Sequence, residues 1–342
     1  MIATRSRPTR FGSTLAALLV GLVFTAAAGG GPERAQQLEQ INYATSFGLF
    51  GRDAYVYVAV DRGYFRQAGF EVNVVSGTGS VDNMKLLAAG RLDYAPIDFS
   101  ALVLTRANES VPVKAVSIVH QNTLSSILTL RESGIATPKD LEGKQIADAP
   151  GSTVRALFPL YAKRAGIDAS KVTFVPAVPP ALPSLLASKQ VDGVGQFTVG
   201  IPLFQRAAGG KPIVSFKYSK QLPGLMGIAV AASDAKISSN PAQVRRFVAA
   251  LNRGLQYSID NPGDAGRILN KYQPLADPVV AAQELKIMKP FVQTEATRRN
   301  GLGTVDVKRV NATISVIANG FKPQNRVRAA DVFAQGFVRV RR

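Results

Sequence analysis

A chain of 342 residues, 46% hydrophobic and 19% charged, can bury one large or two ordinary cores, which excludes a disordered polymer. It has no cysteine and one histidine, His120, so disulfide frameworks, thiolate nucleophiles and cysteine- or histidine-rich metal sites are excluded, and no cofactor is expected. The formal charge of +18 can attract anions, yet the basic residues are mostly dispersed; the one dense cluster is Arg339, Arg341 and Arg342 at the C-terminus, and no nucleic-acid partner is expected.

In chain order, Arg5, Arg7 and Arg10 precede an apolar run over residues 15–24, and the small residues Ala26, Ala27, Ala28 and Gly29 follow. A basic region, a short apolar core and a small-residue site make the pattern of a secretory signal, here over residues 1–28 with cleavage near Ala28. The run is roughly half of the ~20 residues that span a bilayer, so a transmembrane anchor is the weaker reading. With no cysteine to carry a lipid, the mature chain is expected to be freely soluble in the periplasm or outside the cell.

Residues 30–40 read as a polar linker. Beyond them short β-rich runs alternate with helical patterns, the signature of an α/β fold with mostly parallel strands. A strand at 41–46, a glycine-bearing loop at 47–52 and a helix at 53–67 ending near Gly69 form the first unit, and period-two alternation marks a strand at 70–75. A small-residue loop at 76–80 leads into a helix through Ala89, with Ser80 as its expected N-cap and Gly90 as its stop. A strand near 92–97, a helix near 100–107 and strands near 113–119 and 126–130 follow. A second series begins near Glu132, with strands at 144–147, 172–175, 191–194 and 213–216. Gly151, Ser152 and Thr153 open a helix bearing Val154, Leu157, Phe158 and Tyr161, in which Pro159 is expected to kink the chain or shift the helix start. An apolar segment at 225–231 returns toward the first series. Asn240 and Pro241 then cap a helix with Val244, Phe247, Val248, Leu251 and Leu255 on one face.

In a parallel α/β sheet, ligands gather at the carboxyl ends of strands, where helix N-termini offer unpaired N–H groups. Four loops meet that description. The first carries Ser46, Phe47, Phe50 and Arg52; the second Gly77, Thr78, Gly79 and Ser80; the third Asp98, Phe99 and Ser100; the fourth Gly151, Ser152 and Thr153. The glycine and hydroxyl residues of the second and fourth suit an anion or a carbonyl oxygen, although plain capping explains them equally well. His120 with Gln121 at a strand end, and Gln196 with Phe197, add an imidazole, amides and a ring that can bond or stack a planar solute, or lie in the core. No serine lies in a nucleophile elbow, which removes a serine–histidine–aspartate triad.

Four stretches carry a family resemblance: 59–75 (AVDRGYFRQAGFEVNVV), 77–93 (GTGSVDNMKLLAAGRLD), 138–146 (PKDLEGKQI) and 191–193 (VDG). On them the chain resembles the ABC-importer substrate-binding proteins for nitrate, sulfonates, taurine and thiamine-type pyrimidines. The resemblance implies a two-lobed, type II periplasmic-binding-protein-like fold, with lobe one at 38–131 plus 230–342 and lobe two at 132–229. It also implies closure over a small solute, a permease partner, a monomer and no catalysis, with ligand contacts in the loops named above. Arg52 is the only cation within them, and their amides, imidazole and phenyl rings suit a neutral, pyrimidine-like or other aromatic heterocycle, with a sulfonate, taurine or nitrate as the other possible solutes. The fungal pyrimidine-synthesising enzymes of the same family rely on a cysteine-rich motif and a sacrificial histidine, and the absence of cysteine weighs against that role. An exported enzyme using Asp98 as acid or base is the alternative. The similar effector domains of transcription regulators fit neither the export signal nor the missing DNA-binding helices.

Overall fold

Runs of β-branched residues alternate with apolar-faced helices, and the chain resolves them into two halves, the first with a two-stranded and a three-stranded sheet and the second with a five-stranded one. The computed structural model describes residues 37–48 and 50–338; the expected signal segment and the C-terminal arginine cluster lie outside them. In chain order the strands are β1 (Glu39–Ala44), β2 (Phe70–Val75), β3 (Ala95–Asp98), β4 (Val113–Ile118), β5 (Ser125–Leu130), β6 (Gln145–Asp148), β7 (Thr173–Pro176), β8 (Gly193–Phe197), β9 (Ile213–Lys217) and β10 (Ile228–Ser233).

In the first half β1 pairs in parallel with β2, β10 lies antiparallel between β3 and β4, and a Tyr43–Tyr94 bridge ties the two groups together. The sheet of the second half has the order β7-β6-β8-β5-β9, with β6 parallel to β7 and β8 and with β5 antiparallel to β8 and β9. Each half thus contains one reversed strand, and in each case it is the strand by which the chain arrives from the other half. The expected boundary at residues 131/132 needs correction, because it puts β5 with the first lobe; its ladders run to β8 and β9.

The helix Pro241–Asp260 forms as its caps and periodicity require. Asn240 accepts the Gln243 N–H, and Val244, Phe247, Val248, Leu251 and Leu255 are all buried. Phe247 stacks on Tyr94 at 3.9 Å and on Phe65 at 5.1 Å between centroids, fixing this helix under the strands of the first half.

Local structure departs from expectation in four places. The helix expected at 53–67 breaks into Ala54–Asp61 and Tyr64–Gln67, because Gly63 adopts φ 67° and ends the first piece. Gly79 at φ 137°, not Ser80, is the N-cap of helix Ser80–Ala88, so Ser80 becomes its first residue and turns its hydroxyl elsewhere. Pro159 neither starts nor stops helix Thr153–Ala165: its ring faces solvent, while Val154, Leu157, Phe158 and Tyr161 bury the other face. That burial outweighs the one missing hydrogen bond. Finally, the strand expected at 191–194 sits two to three residues later, which places Gln196 and Phe197 within β8.

Candidate functional site

The carboxyl ends of β1, β3, β6 and β8 face a common cleft of about 290 Å³, counting the solvent at its mouth. Its wall includes Ser46, Phe47 and Arg52 from the loop after β1, and Gly79 and Ser80 from the start of helix Ser80–Ala88. Opposite them stand Ser152 and Thr153 at the start of helix Thr153–Ala165, and Gln196 and Phe197 on β8.

The two helix starts meet directly. Thr153 Oγ1 donates to Ser80 Oγ at 2.9 Å, and the Val81 N–H donates to the Gly151 carbonyl at 3.2 Å. Ser80 Oγ also accepts the Asp98 N–H at 2.9 Å. This approach requires glycine: a Cβ on Gly79 would lie 2.4 Å from the Gly151 oxygen.

Arg52 spans the cleft floor with 1% of its side chain exposed. Its Nε donates to Ser46 Oγ at 3.2 Å, one terminal nitrogen to Gln196 Oε1 at 3.1 Å, and the other to the Phe47 carbonyl at 3.2 Å. The guanidinium lies over the Phe50 ring at 4.1 Å and near the Phe197 ring at 5.0 Å. Asp53, 3.7 Å away, balances its charge and accepts from both the Ser46 hydroxyl and its N–H. Burial pushes the Asp53 carboxyl up and Arg52 draws it back.

Several buried polar atoms near the cleft lack hydrogen-bond partners among the described residues: Asp98 Oδ2, Asp148 Oδ2, Gln196 Nε2 and both ring nitrogens of His120. Asp98 caps helix Phe99–Glu109 through Oδ1, which accepts from Ser100 and Ala101 N–H, and burial raises its pKa to about 7. Asp148 at the end of β6 is likewise raised by burial to about 7, and its carboxylate occupies the space left by the missing side chain of Gly195. His120 is held down to about 3, by burial first and by Arg52 second.

Of the residues singled out in the sequence, Ser46, Phe47, Arg52, Gly79, Ser80, Ser152, Thr153, Gln196 and Phe197 line the cleft. Gly151 meets it through its carbonyl, and Phe50 lies beneath Arg52. The others have different employment. Thr78 is exposed and donates to Asp82 at 2.9 Å, while Gly77 packs on the Thr45 carbonyl within the first half. Phe99 is core, and the Ser100 hydroxyl is tied to the Met226 carbonyl at 2.8 Å. Gln121 donates its amide to the Ile118 and Thr304 carbonyls at 3.3 and 3.1 Å, a structural role. Sequence reasoning missed Val154, Gly195 and Ile228 in the wall, and Asp148 behind it. Asp148 was findable: like Asp98 it ends a strand just before a helix start.

The riboflavin-binding protein RibY of Chloroflexus aurantiacus is 26% identical over 284 residues, covering 80% of this chain and 79% of that one. The formylaminopyrimidine-binding protein of Halalkalibacterium halodurans is 22% identical over 264 residues, covering 76% and 79%. A 4-amino-5-hydroxymethyl-2-methylpyrimidine phosphate synthase of Aspergillus parasiticus is 23% identical over 273 residues, covering 76% and 74%. Among solved structures, the alkanesulfonate-binding protein SsuA of Xanthomonas axonopodis pv. citri, bound to MOPS, superposes with a TM-score of 0.69 at 16% identity, covering 86% of this chain and 98% of that one. The fold is therefore that of the periplasmic binding proteins. Residues 53–265 match the NMT1/THI5-like family throughout, and the chain belongs to that family.

Proposed function

We propose that this protein captures a small polar solute between two lobes and delivers it to an ABC importer, acting outside the cytoplasmic membrane as a monomer. The observation that carries the reading is the cleft itself: opposed helix starts touch across it, and unpartnered buried polar atoms gather around it. A buried polar atom without a partner is costly, and a bound solute that supplies partners removes that cost. On this reading the lobes divide where the chain crosses between sheets, at 119–124 and 218–227.

The polar inventory favours a neutral planar heterocycle. Arg52 already has Asp53 as counter-ion, which leaves little net positive charge to hold a sulfonate. Gln196 Nε2 is a free donor, His120 offers one donor and one acceptor, and Asp98, near pH 7, can act as either. The relatives named for riboflavin and a formylaminopyrimidine agree in chemical class.

Turnover is the second reading. Asp98 has a pKa suited to proton transfer, and one relative is named as a synthase. Against it, among the described residues both hydrogen bonds to the Asp98 carboxyl come from backbone N–H groups of its own helix, and neither brings an acid or base to it. The test is thermal unfolding of the chain from Gly29 against thiamine pyrimidines, flavin precursors, sulfonates, taurine, nitrate and aromatic carboxylates. A ligand at ~100 times its dissociation constant adds about 2.7 kcal/mol, a shift of a few degrees. One compound that shifts the transition and is recovered unchanged supports capture; its consumption supports an enzyme, and a shift by sulfonates alone defeats the heterocycle assignment.

A further inference from the structure

Phe50, whose ring lies against Arg52, also belongs to the wall of a second cavity. It encloses about 1160 Å³, counting the solvent at its mouth. Pro180, Pro183 and Leu203 form one side of it, and Leu269 and Val280 form the other. The lining is therefore mostly apolar and comes from both halves of the chain. At the mouth Arg206 is already paired with Asp277 at 2.9 Å, so that cation is engaged.

A second acid, besides Asp277, is set into this wall. Glu284 on helix Pro278–Val292 is 0% exposed. Its Oε2 accepts the Arg52 N–H at 3.4 Å, and among the described residues its Oε1 has no hydrogen-bond partner. A buried carboxyl with an unused oxygen beside an apolar cavity is suited to a donor carried on an apolar body. A cationic nitrogen makes the strongest such bond and stabilises the ionised carboxylate that burial disfavours, whereas an anion brings no donor to Oε1 and favours only the protonated acid.

We propose that this cavity is a second subsite, taking an apolar ring that bears an amino group, with the ring against Phe50, Leu203 and Val280 and the nitrogen donating to Glu284. The inference rests on the solute-capture reading and extends it: the solute has a planar polar end for the Arg52 cleft and a ring-borne amine for this one. Phe50 is the partition between the two.

The probe is benzylamine, with benzoate as counter-probe, followed by ligand-observed saturation-transfer NMR on the chain from Gly29. Benzylamine gives a saturable signal in the wild type, and benzoate gives none. Leu203→Trp, which puts a bulky ring into the apolar wall where the ligand ring would lie, and Glu284→Gln, which removes the acid, each weaken benzylamine at least tenfold. Arg66→Ala, on the exposed surface, leaves it unchanged. Should Glu284→Gln fail to fold, Leu203→Trp carries the test alone, because residue 203 is only half-buried. Benzylamine binding that survives Leu203→Trp, or benzoate binding of equal strength, overturns the proposal. So does a solute from the unfolding panel that binds while benzylamine does not; that result sinks this subsite and leaves capture in the Arg52 cleft standing.

Discussion

Replacing Gly79 by alanine tests whether the two helix starts act as a latch. The added Cβ would stand 2.4 Å from the Gly151 oxygen and 2.8 Å from its carbon, where ordinary contact begins near 3.4 Å. The loops must part by about 1 Å, which takes the Val81–Gly151 and Thr153–Ser80 hydrogen bonds, at 3.2 and 2.9 Å, beyond effective range. At about 1 kcal/mol each, their loss disfavours the closed arrangement by roughly 2 kcal/mol, or ~30-fold. If the charged Arg52–Gln196 bond parts as well, the total rises to roughly 4 kcal/mol. The non-glycine φ of 137° adds strain of order 1–3 kcal/mol to the arrangement seen here. Amide hydrogen exchange reads the difference: the Val81 amide should exchange ~30-fold faster, with that of Ile97 in β3 changing only by that strain. Small-angle scattering should show a larger radius of gyration. Unchanged protection at Val81 together with an unchanged radius would refute the latch.

Stability should fall as pH rises. Asp98 and Asp148 hold protons to about pH 7, and Glu284 to about pH 8, whereas they release them near pH 4 when unfolded. The folded state therefore binds more protons across that window, and raising the pH costs stability. His120 works in the opposite direction between pH 6.5 and about 3, but it is one group against three. Melting temperatures should thus be higher at pH 5 than at pH 8, and Asp98→Asn should narrow that gap; an equal or reversed gap in the wild type would contradict the assignment. Arg52→Ala leaves Asp53 buried without its counter-ion and should cost about 3–5 kcal/mol in urea unfolding, more than Arg66→Ala on the exposed Arg66–Glu71 pair, expected at under about 1 kcal/mol. Gly195→Ala places a Cβ 2.2 Å from the Asp148 carboxylate and should cost about 1–3 kcal/mol, partly relieved in Gly195→Ala/Asp148→Ala.

The alternation of strands and helices, and most strand positions, could be read directly because β-branched runs and glycine stops are local signals. What failed was partnership. Nothing within residues 125–130 says that β5 pairs with β8 and β9, since a fully buried strand looks the same in either sheet. In the site, the loops at strand ends were legible, but not the direction in which each side chain turns. Thr78 and Ser80 are both hydroxyl residues two positions apart; one faces solvent and the other faces Thr153. Their fates diverge because Gly79 takes a backbone angle that only glycine adopts easily. Glu284 was invisible for a different reason: it reaches the Arg52 backbone from 232 residues away, on a helix whose sequence gives no local sign of it.

The position of β10 has a consequence for how the molecule forms. β3 and β4 do not touch as neighbours; β10 lies between them, and it is more than a hundred residues later in the chain. Until residue 233 is available, the first half is left with a gap at its centre and two unpaired edges. Such long-range closure is slow, and it cannot begin on a nascent segment of ordinary domain length. The first half of a chain built this way cannot close its sheet until about two-thirds of the chain has been made. That delay is an advantage to any polypeptide that must thread a narrow channel before it folds.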